Sequence, residues 1–378
     1  MSQVMGVGVI GAGNISSAYL GLSKMFKGIE MRAVADLNME TAKAQAEKFD
    51  VRAETVDDLL AASDIDIIVN LTIPAAHYEV SKRVLEAGKH VFSEKPFVLS
   101  VEEGRKLLDL AESKGLRVGS APDTFLGGAH QQARALIDSG DLGQITGGMA
   151  AVMSRGMEMW HPNPDFFFQA GGGPVLDIGP YYITNLVQLI GPVTRVACFS
   201  TTPRTKREIT SEPRKGQFVD VETPTSLRAI LEFANGATVT LNTSWDVHAH
   251  GMAPMELYGE KGSLFVPDPN FFGGEVRATD GGDDRDLPAF DHPFGVPNQQ
   301  HNQGMMANYR TAGLADMAAA IAEGRPHRCG QDLSLHVMEV LLAIIEAGEV
   351  GEVVSISSTC ERPAALSASA ASALMVAK

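Results

Sequence analysis

The chain has 378 residues, of which 44% are hydrophobic and 20% charged, with a formal net charge of −15. This length exceeds that of most single domains, so we expect two domains. The 31 basic residues are scattered along an acidic chain, which argues against a nucleic-acid partner, since such partners select positive charge concentrated on one face. No apolar run is as long as a membrane span.

Three cysteines, Cys198, Cys329 and Cys360, lie far apart and share no metal-binding spacing such as C-x-x-C. The first apolar segment, Val4 to Ile10, runs directly into Gly11, so it reads as a strand and not as a signal peptide. We therefore expect a soluble cytoplasmic protein with reduced thiols and no bound metal.

The first ~120 residues alternate between strand and helix patterns, which is typical of a parallel doubly wound sheet. The expected strands are Val7–Ile10, Met31–Ala35, Ile65–Val69 and His90–Phe92, and the expected helices are Asn14–Phe26, Met39–Phe49 and Ala75–Ala87. Ser100 followed by Glu103 forms a capping box for a further helix. Residues 1–122 are predicted to be an N-terminal Rossmann dinucleotide-binding domain, with Pro122 at the boundary.

Residues 123–378 are predicted to form a C-terminal α+β domain for substrate binding and oligomerisation. Asn235-Gly236 separates two alternating runs, 227–233 and 237–244, and predicts a hairpin in a large, mostly antiparallel, open-faced sheet. Burial of the open face between subunits favours a homodimer or homotetramer. Further expectations are helices at 128–139, 314–321 and 332–347, a long loop over 267–298 and a poorly ordered tail after 363.

The segment from Gly11 to Ser16 lies between the first strand and the first helix. Gly11 permits a tight turn, and Gly13 removes a Cβ that would block a pyrophosphate, which would then rest on amides of the helix N-terminus near Asn14 and Ile15. Ser16 replaces the usual third glycine or alanine with another small residue. The strand before the turn, the helix after it and the glycines between them all fit the dinucleotide-binding pattern, so we expect a dinucleotide site here.

Asp36 ends the second strand, where a carboxylate can accept hydrogen bonds from the adenosine ribose hydroxyls. It would repel a 2′-phosphate, and the following Leu37 and Asn38 supply no neutralising arginine. NAD is therefore favoured, with NADP as the alternative cofactor. The competing interpretation is that Asp36 only caps the next helix.

Three stretches together resemble the glucose-fructose oxidoreductase/inositol dehydrogenase (Gfo/Idh/MocA) family. They are the glycine turn Gly11–Ile15, the tripeptide Glu94-Lys95-Pro96, and the G-G-G-x-x-x-D-x-G pattern over 171–179, continued to Tyr181. The resemblance extends from residue 4 to about residue 360. It implies a nicotinamide-dependent oxidoreductase acting on a sugar, polyol or glycoside, with Glu94 and Lys95 also beside the cofactor.

The resemblance also implies that Lys95 reaches the substrate oxygen beside the nicotinamide and that Asp177 belongs to the same site. Where most of the family has a histidine acid/base this chain has Tyr181, and where a second aspartate is usual it has Thr184. Tyrosine at this position also occurs in the glucose-fructose oxidoreductase and dihydrodiol dehydrogenase branches. The substitution puts histidine-based proton transfer in doubt here.

Hydride transfer must be matched by proton exchange at hydrogen-bond distance. A tyrosine with a pKa of about 10 is a poor base at neutral pH unless a cation lies beside it and favours the tyrosinate form. Lys95 could supply that cation, so we expect a Lys95–Tyr181 proton-transfer pair, with Asp177 orienting the lysine or binding a substrate hydroxyl. The competing interpretations are a surface lysine and a tyrosine of a helix core.

Further residues are expected to border the ligands. Thr72, Pro74 and His77 follow a strand at its carboxyl edge and match a T-x-x-x-x-H stretch of the family, which implies contact with the cofactor; His77 alternatively only caps its helix. Trp160 and His161 are expected in a substrate-facing loop.

Weaker candidates lie elsewhere in the chain. Asp123 is a weaker substrate-binding candidate, as is the pair Tyr309-Arg310. Asp246, His248 and His250 alternate along an apparent strand and would share one face, where a polar sheet surface or a subunit contact is favoured over a metal site. The same face could alternatively read sugar hydroxyls.

The sequence leaves two other functions open. One is a ligand-sensing protein of the same fold that binds dinucleotide and sugar without turnover, and the other is a redox-neutral enzyme with tightly held NAD. The lack of a Lys/Arg cluster near the motifs favours a neutral substrate over a phosphorylated or strongly acidic one.

Overall fold

The computed structural model describes residues 4–302 and 304–376. Its strands are β1 Met5–Ile10, β2 Ile29–Ala35, β3 Arg52–Glu54, β4 Ile67–Asn70, β5 His90–Ser93, β6 Val118–Ser120, β7 Ile145–Met153, β8 Val193–Thr201, β9 Lys206–Glu208, β10 Phe218–Asp220, β11 Ser226–Phe233, β12 Thr238–Ser244, β13 Met255–Gly259, β14 Gly262–Val266, β15 Arg277–Thr279, β16 Gln299–His301, β17 Gly304–Met306 and β18 Val354–Ser355.

The α-helices are α1 Ser16–Leu22, α2 Met39–Phe49, α3 Val56–Ala61, α4 His77–Glu86, α5 Val101–Lys114, α6 Gly128–Asp138, α7 Asp165–Phe168, α8 Gly173–Asp177, α9 Gly179–Ile190, α10 Ala312–Glu323, α11 Gln331–Val350 and α12 Ala368–Leu374. Short 3-10 helices occur at Ser23–Met25, Pro74–Ala76, Thr124–Leu126, Met157–Met159 and Pro293–Gly295.

The chain divides into two compact units. The first consists of Met1–Gly127, Asp291–Leu335 and Pro363–Lys378, and the second of Gly128–Phe290 and His336–Arg362. The sequence-based division into 1–122 and 123–378 did not include the return of two later segments to the first unit. Such returns are set by tertiary packing, because an apolar helix face carries no mark of which sheet it will cover.

The first unit contains the expected Rossmann sheet. Its strand order is β3-β2-β1-β4-β5-β6, and every neighbouring pair is parallel. The central strands are fully buried, as their continuous apolar runs predict for a sheet covered on both faces. Helix α5 begins as its capping box predicts, since the Ser100 hydroxyl accepts a hydrogen bond from the Glu103 amide at 3.2 Å.

The second unit contains an eight-stranded sheet in the order β15-β14-β13-β7-β12-β11-β8-β18. All neighbouring pairs are antiparallel except β12 with β7, which are parallel. The predicted hairpin joins β11 to β12, with Gly236 at a φ of 88°. Residues of β11 alternate between buried and exposed, so one face of this part of the sheet is open and carries Phe199 (82% exposed) and Ile230 (51% exposed).

Two expectations about irregular structure are wrong. The tail after Pro363 is ordered: Ser367 caps helix α12, and Ala371 and Leu374 are buried. Met375 forms a β-bridge with Phe26, and alanine is itself a strong helix former. The loop over 267–298 also contains strand β15, which pairs with β14.

Candidate active site

The glycine-rich turn has the geometry that close approach of a ligand needs. Gly11 has a φ of +105°, and a Cβ there would lie 2.6 Å from the Leu71 carbonyl oxygen, so only glycine fits. A Cβ on Gly13 would meet nothing within 4 Å, because that side of the turn faces open space. Ser16 is buried and its hydroxyl donates to the Gly13 carbonyl at 2.6 Å, which ties helix α1 to the turn. Gly13 and the exposed Asn14 therefore border a space suited to a pyrophosphate.

Asp36 lies at the end of β2 beside this turn. One carboxylate oxygen accepts from the Ala12 amide at 2.8 Å, and the other accepts from the Asn38 amide at 2.8 Å. Helix α2 is capped by Asn38, whose side chain accepts from the Glu40 amide, so the interpretation of Asp36 as only a helix cap is wrong. The carboxylate is placed at the first glycine turn, where ribose hydroxyls bind in dinucleotide folds.

His77 connects the loops that follow β4 and β5. Its Nδ1 lies 2.7 Å from the Pro96 carbonyl oxygen, and its Nε2 lies 3.0 Å from that of Thr72. Burial lowers the pKa of His77, partly offset by these carbonyls, which favours the neutral ring near pH 7. As a neutral imidazole it donates to one of the two carbonyls and packs against the other. Pro74, two residues after Thr72, begins a 3-10 helix.

Glu94 is the centre of a buried network next to Lys95. Its Oε1 accepts from the Tyr19 hydroxyl at 2.9 Å and from the Arg310 guanidinium at 2.8 Å, and its Oε2 accepts from the Lys95 amide at 2.9 Å. Burial raises the pKa of Glu94, but Arg310 and Lys95 outweigh burial and the net pKa is lowered. The ionised carboxylate therefore holds the backbone of Lys95 against helix α1, which starts at the glycine turn.

Asp123 is fully buried, and one of its carboxylate oxygens accepts from the amides of Thr311 and Gly313 at 3.0 and 3.1 Å. Thr311 has a φ of +89°, a strained conformation for a β-branched residue, and directly follows Arg310. Burial raises the pKa of Asp123, opposed by Arg310. Tyr309 donates its hydroxyl to the Val296 carbonyl at 2.9 Å. These contacts support the turn from which Arg310 reaches Glu94.

The remaining motif residues lie in the second unit. Asp177 is the last residue of α8 and half-buried, and Tyr181 is buried in the first turn of α9, with its amide donating to the Ile178 carbonyl at 3.1 Å. Thr184, at the position of the family's second aspartate, is buried in the same helix.

The loop predicted to face substrate follows a 3-10 helix. Trp160 is 64% exposed, and its ring contacts that of His161 edge to face at 5.4 Å. His161 in turn packs against Phe166 and Phe167. Trp160 is therefore an exposed ring next to a packed aromatic cluster.

The expected alternation of Asp246, His248 and His250 along one strand is wrong, because β12 ends at Ser244. Asp246 is half-buried and accepts from Arg204, Arg207, Thr225 and Ser226, whereas His248 and His250 are exposed. Within residues 4–302 and 304–376, no group of three or more His, Cys, Asp or Glu side chains is arranged to hold a metal ion.

Sequence reasoning missed Tyr19, Arg207 and Glu158, which form buried networks but belong to no motif. In the sequence each of them is only a polar or charged residue among apolar neighbours. That pattern does not identify a partner tens of residues away.

Comparison with known proteins agrees with this geometry. Residues 5–121 match the model of an oxidoreductase family with an NAD-binding Rossmann fold, GFO_IDH_MocA, and residues 130–265 match the GFO/IDH/MocA C-terminal domain. The chain belongs to this family. It is an NAD-binding oxidoreductase with the expected Rossmann and mixed-sheet architecture.

Several family members are similar over different shares of their length. The chain is 28% identical over 267 residues to the D-glucoside 3-dehydrogenase of Escherichia coli, covering 68% of this chain and 74% of that protein. It is 35% identical to the uncharacterized oxidoreductase C115.03 of Schizosaccharomyces pombe, but over only 36% of this chain and 37% of that one. A solved levoglucosan dehydrogenase in complex with NADH and L-sorbose aligns with a TM-score of 0.78 at 21% identity, over 94% of this chain and 99% of that one.

Among the helices in the described part of the chain, none combines the length and apolarity that crossing a bilayer requires.

Proposed function

We propose that the protein is an NAD-dependent dehydrogenase or reductase that acts on a CH–OH group of a sugar, polyol or glycoside. The observation that carries this proposal is the Glu94 network, which anchors the Lys95 backbone to the helix that begins at the glycine turn. The family relatives support the substrate class, since one is a D-glucoside 3-dehydrogenase and another a levoglucosan dehydrogenase.

The residues beside the glycine turn fit NAD better than NADP. Asp36 would accept the ribose hydroxyls and repel a 2′-phosphate, and the adjacent Leu37 is 99% exposed and offers an apolar surface for an adenine ring. The proposed cofactor contacts are those at the turn and at the carboxyl ends of the parallel strands: Gly11, Gly13, Asn14, Ile15, Asp36, Thr72, Pro74, His77, Glu94 and Lys95.

Bound NAD supplies the hydride acceptor or donor, and the protein must handle the proton. We propose that Lys95 contacts the reacting oxygen and forms a proton-transfer pair with Tyr181, whose hydroxyl exchanges the proton with the substrate hydroxyl. Asp177 binds a neighbouring hydroxyl or orients the lysine, and Trp160 and His161 line the substrate side. Asp123 acts on the site through the Arg310 turn, since its side chain has no exposed surface.

The test follows nicotinamide absorbance with NAD and NADP against a panel of inositols, aldoses and glycosides. Lys95→Ala and Tyr181→Phe are each expected to lower kcat/KM by about 10²–10⁴-fold, the usual share of general acid–base catalysis. NAD affinity is expected to be retained in Tyr181→Phe, since Tyr181 is not among the proposed cofactor contacts. Lys82→Ala is the matched control, because Lys82 is a half-buried lysine of the same unit that lies outside the proposed site. Normal turnover of Tyr181→Phe across pH would leave Lys95 as the sole candidate, and NAD binding without turnover of any substrate would favour the ligand-sensing or redox-neutral alternatives.

We further propose a homodimer or homotetramer, located in the cytoplasm, that buries the open face of the second unit's sheet. Phe199 and Ile230 are large apolar side chains on neighbouring strands of that face. Light scattering at micromolar concentration is expected to give at least twice the mass of one chain, and Phe199→Asp is expected to shift the mass toward the monomer. A monomeric wild-type protein would contradict this assembly.

A further inference from the structure

A cleft of about 500 Å³ lies wholly within the second unit, between the loop that follows β7 and the loop that follows β12. It is lined by Met153, Ser154, Arg155, Gly156, Met159, Trp160, His248, Ala249 and His250. Trp160, proposed above to line the substrate side, is one of these residues.

The cleft is basic on an otherwise acidic protein. Arg155, His248 and His250 are exposed, and no carboxylate is among the lining residues. Two acids lie close in sequence to the lining residues, and both are engaged. Glu158 is buried and accepts from Arg207, and Asp246 accepts from Arg204 and Arg207 and from the hydroxyls of Thr225 and Ser226. Among the ion pairs of residues 4–302 and 304–376, none involves Arg155. The exposed Arg155 therefore lines the cleft without a paired carboxylate.

The two loops are held at a fixed separation by one buried side chain, Arg207. Its guanidinium donates to the carbonyl of Arg155 at 2.7 Å on one loop and to the carbonyl of Trp245 at 2.6 Å on the other. It also pairs with Glu158 at 2.7 Å and with Asp246 at 3.0 Å. One buried guanidinium thus joins both loops through four contacts, which makes it a support under the exposed cleft.

At Gly156 the loop after β7 passes close to the buried Arg207–Glu158 ion pair. It has a φ of +111°, and a Cβ there would lie 2.3 Å from Glu158 Oε2 and 2.7 Å from Arg207 Nη2. The loop can pass over the ion pair only because this residue is glycine. Beneath it, Met157, Phe168, Ile209, Val219 and Trp245 form a small apolar core.

We propose that this cleft binds an anionic sugar derivative, with the sugar ring against Trp160 and its carboxylate or phosphate on Arg155, His248 and His250. Aromatic faces bind the apolar face of a sugar ring, and arginine binds both carboxylate and phosphate through paired donors. The inference rests on the proposed sugar-oxidoreductase function and deepens it, because it assigns a negative charge to a substrate that the sequence predicted to be neutral.

The test is a fluorescence titration, because the chain contains two tryptophans, of which Trp160 is exposed and Trp245 is buried. D-glucuronate, D-glucose 6-phosphate and D-glucose are titrated at low salt into wild-type protein and into Trp160→Phe, which removes the responding ring. We expect at least one anionic sugar to bind at least about tenfold more tightly than glucose, a difference of about 1.4 kcal/mol. Added salt is expected to reduce that advantage.

Arg155→Ala is expected to remove the preference for the anion, whereas Arg277→Ala is the control, since Arg277 is exposed in the same unit but pairs with Asp284. Binding of only one of the two anionic sugars would support the proposal and would show whether the cleft binds a carboxylate or a phosphate. Equal affinity for glucose and both anions, or equal behaviour of the two arginine variants, would overturn it. The readout requires neither NAD nor turnover, so anion binding without dehydrogenase activity would count against the proposed function alone.

Discussion

Two buried ion networks, one in each unit, support loops that carry candidate functional residues, but they are built in opposite ways. In the first unit a carboxylate is the centre, and Glu94 collects a hydroxyl, a guanidinium and a backbone amide. In the second unit an arginine is the centre, and Arg207 collects two carboxylates and two backbone carbonyls.

The difference follows from what each loop must present. The amide of Lys95 needs an acceptor, so an anion anchors the lysine loop and adds a favourable charge near its ammonium. The cleft loops instead expose carbonyls to their support, so a cation with several donors anchors them. Each support has the charge that its own loop backbone requires. In the part of the chain that the structure describes, Glu158 Oε2 is buried and has no hydrogen-bond partner.

The largest expected effect comes from removing the arginine centre. Arg207→Met leaves Glu158 and Asp246 without their shared cation, and breaking a buried pair in this way costs about 3–5 kcal/mol. Urea unfolding of the variant measures the loss. The control, Arg277→Ala at an exposed ion pair, should change the free energy of unfolding by less than about 1 kcal/mol. A similar loss in both variants would show that the buried network stabilises the fold no more than an exposed ion pair does.

Removal of the carboxylate centre is expected to have a smaller effect on stability and a clear effect on activity. Glu94→Gln keeps the shape but removes the negative charge that pairs with Arg310, which we expect to cost about 1.5–3 kcal/mol and to lower kcat by displacing Lys95. Glu94→Asp should recover part of kcat, as expected for a positioning residue.

The pH dependence of this variant supplies a second check. Because the folded-state pKa of Glu94 is lowered, its stabilisation is present above its unfolded value of 4.5 and is lost as the pH falls through the folded value. The stability gap between wild type and Glu94→Gln should therefore close below pH 4.5. A gap that persists undiminished in acid would exclude a charge effect.

Asp123 is expected to give the smallest effect and the opposite pH trend. Its folded-state pKa is raised, so its carboxyl favours the fold most below the unfolded value of 3.8 and less as the pH rises through the folded value. Asp123→Asn keeps an acceptor for Thr311 and Gly313 and should stay within about 1 kcal/mol of wild type, gaining relative stability between pH 4 and pH 7. Relative loss over that range, in thermal unfolding, would mean that the charge itself stabilises the turn.

Local signals in the sequence were sufficient for much of the first unit. The glycine turn, Asp36 after β2 and the cap at Ser100 are determined within a few residues, because backbone conformation and helix capping are short-range effects. The Asn235-Gly236 hairpin in the second unit was found for the same reason. The roles of Lys95, Asp177 and Tyr181 came from resemblance and stay predictions.

Long-range partners could not be found in this way. Arg310 meets Glu94 across 216 residues of sequence, and Arg207 meets Glu158 across 49. The tail helix α12 was missed because its Ala- and Ser-rich sequence has few apolar side chains that would indicate a buried helix face. Burial of Leu374 becomes visible only in the folded structure. The basic cleft was missed because Arg155 and the two histidines lie nearly a hundred residues apart.

The sequence by itself determined the Rossmann sheet, the dinucleotide turn and the family, because those depend on strand periodicity, glycine conformation and short contiguous motifs. Only the tertiary structure decided which buried charges pair and which later segments return to the first unit. It also decided that Asp246 is half-buried in an ion network while the neighbouring histidines are exposed. Those outcomes depend on desolvation and packing between distant residues, which contribute free energy only after the chain has folded.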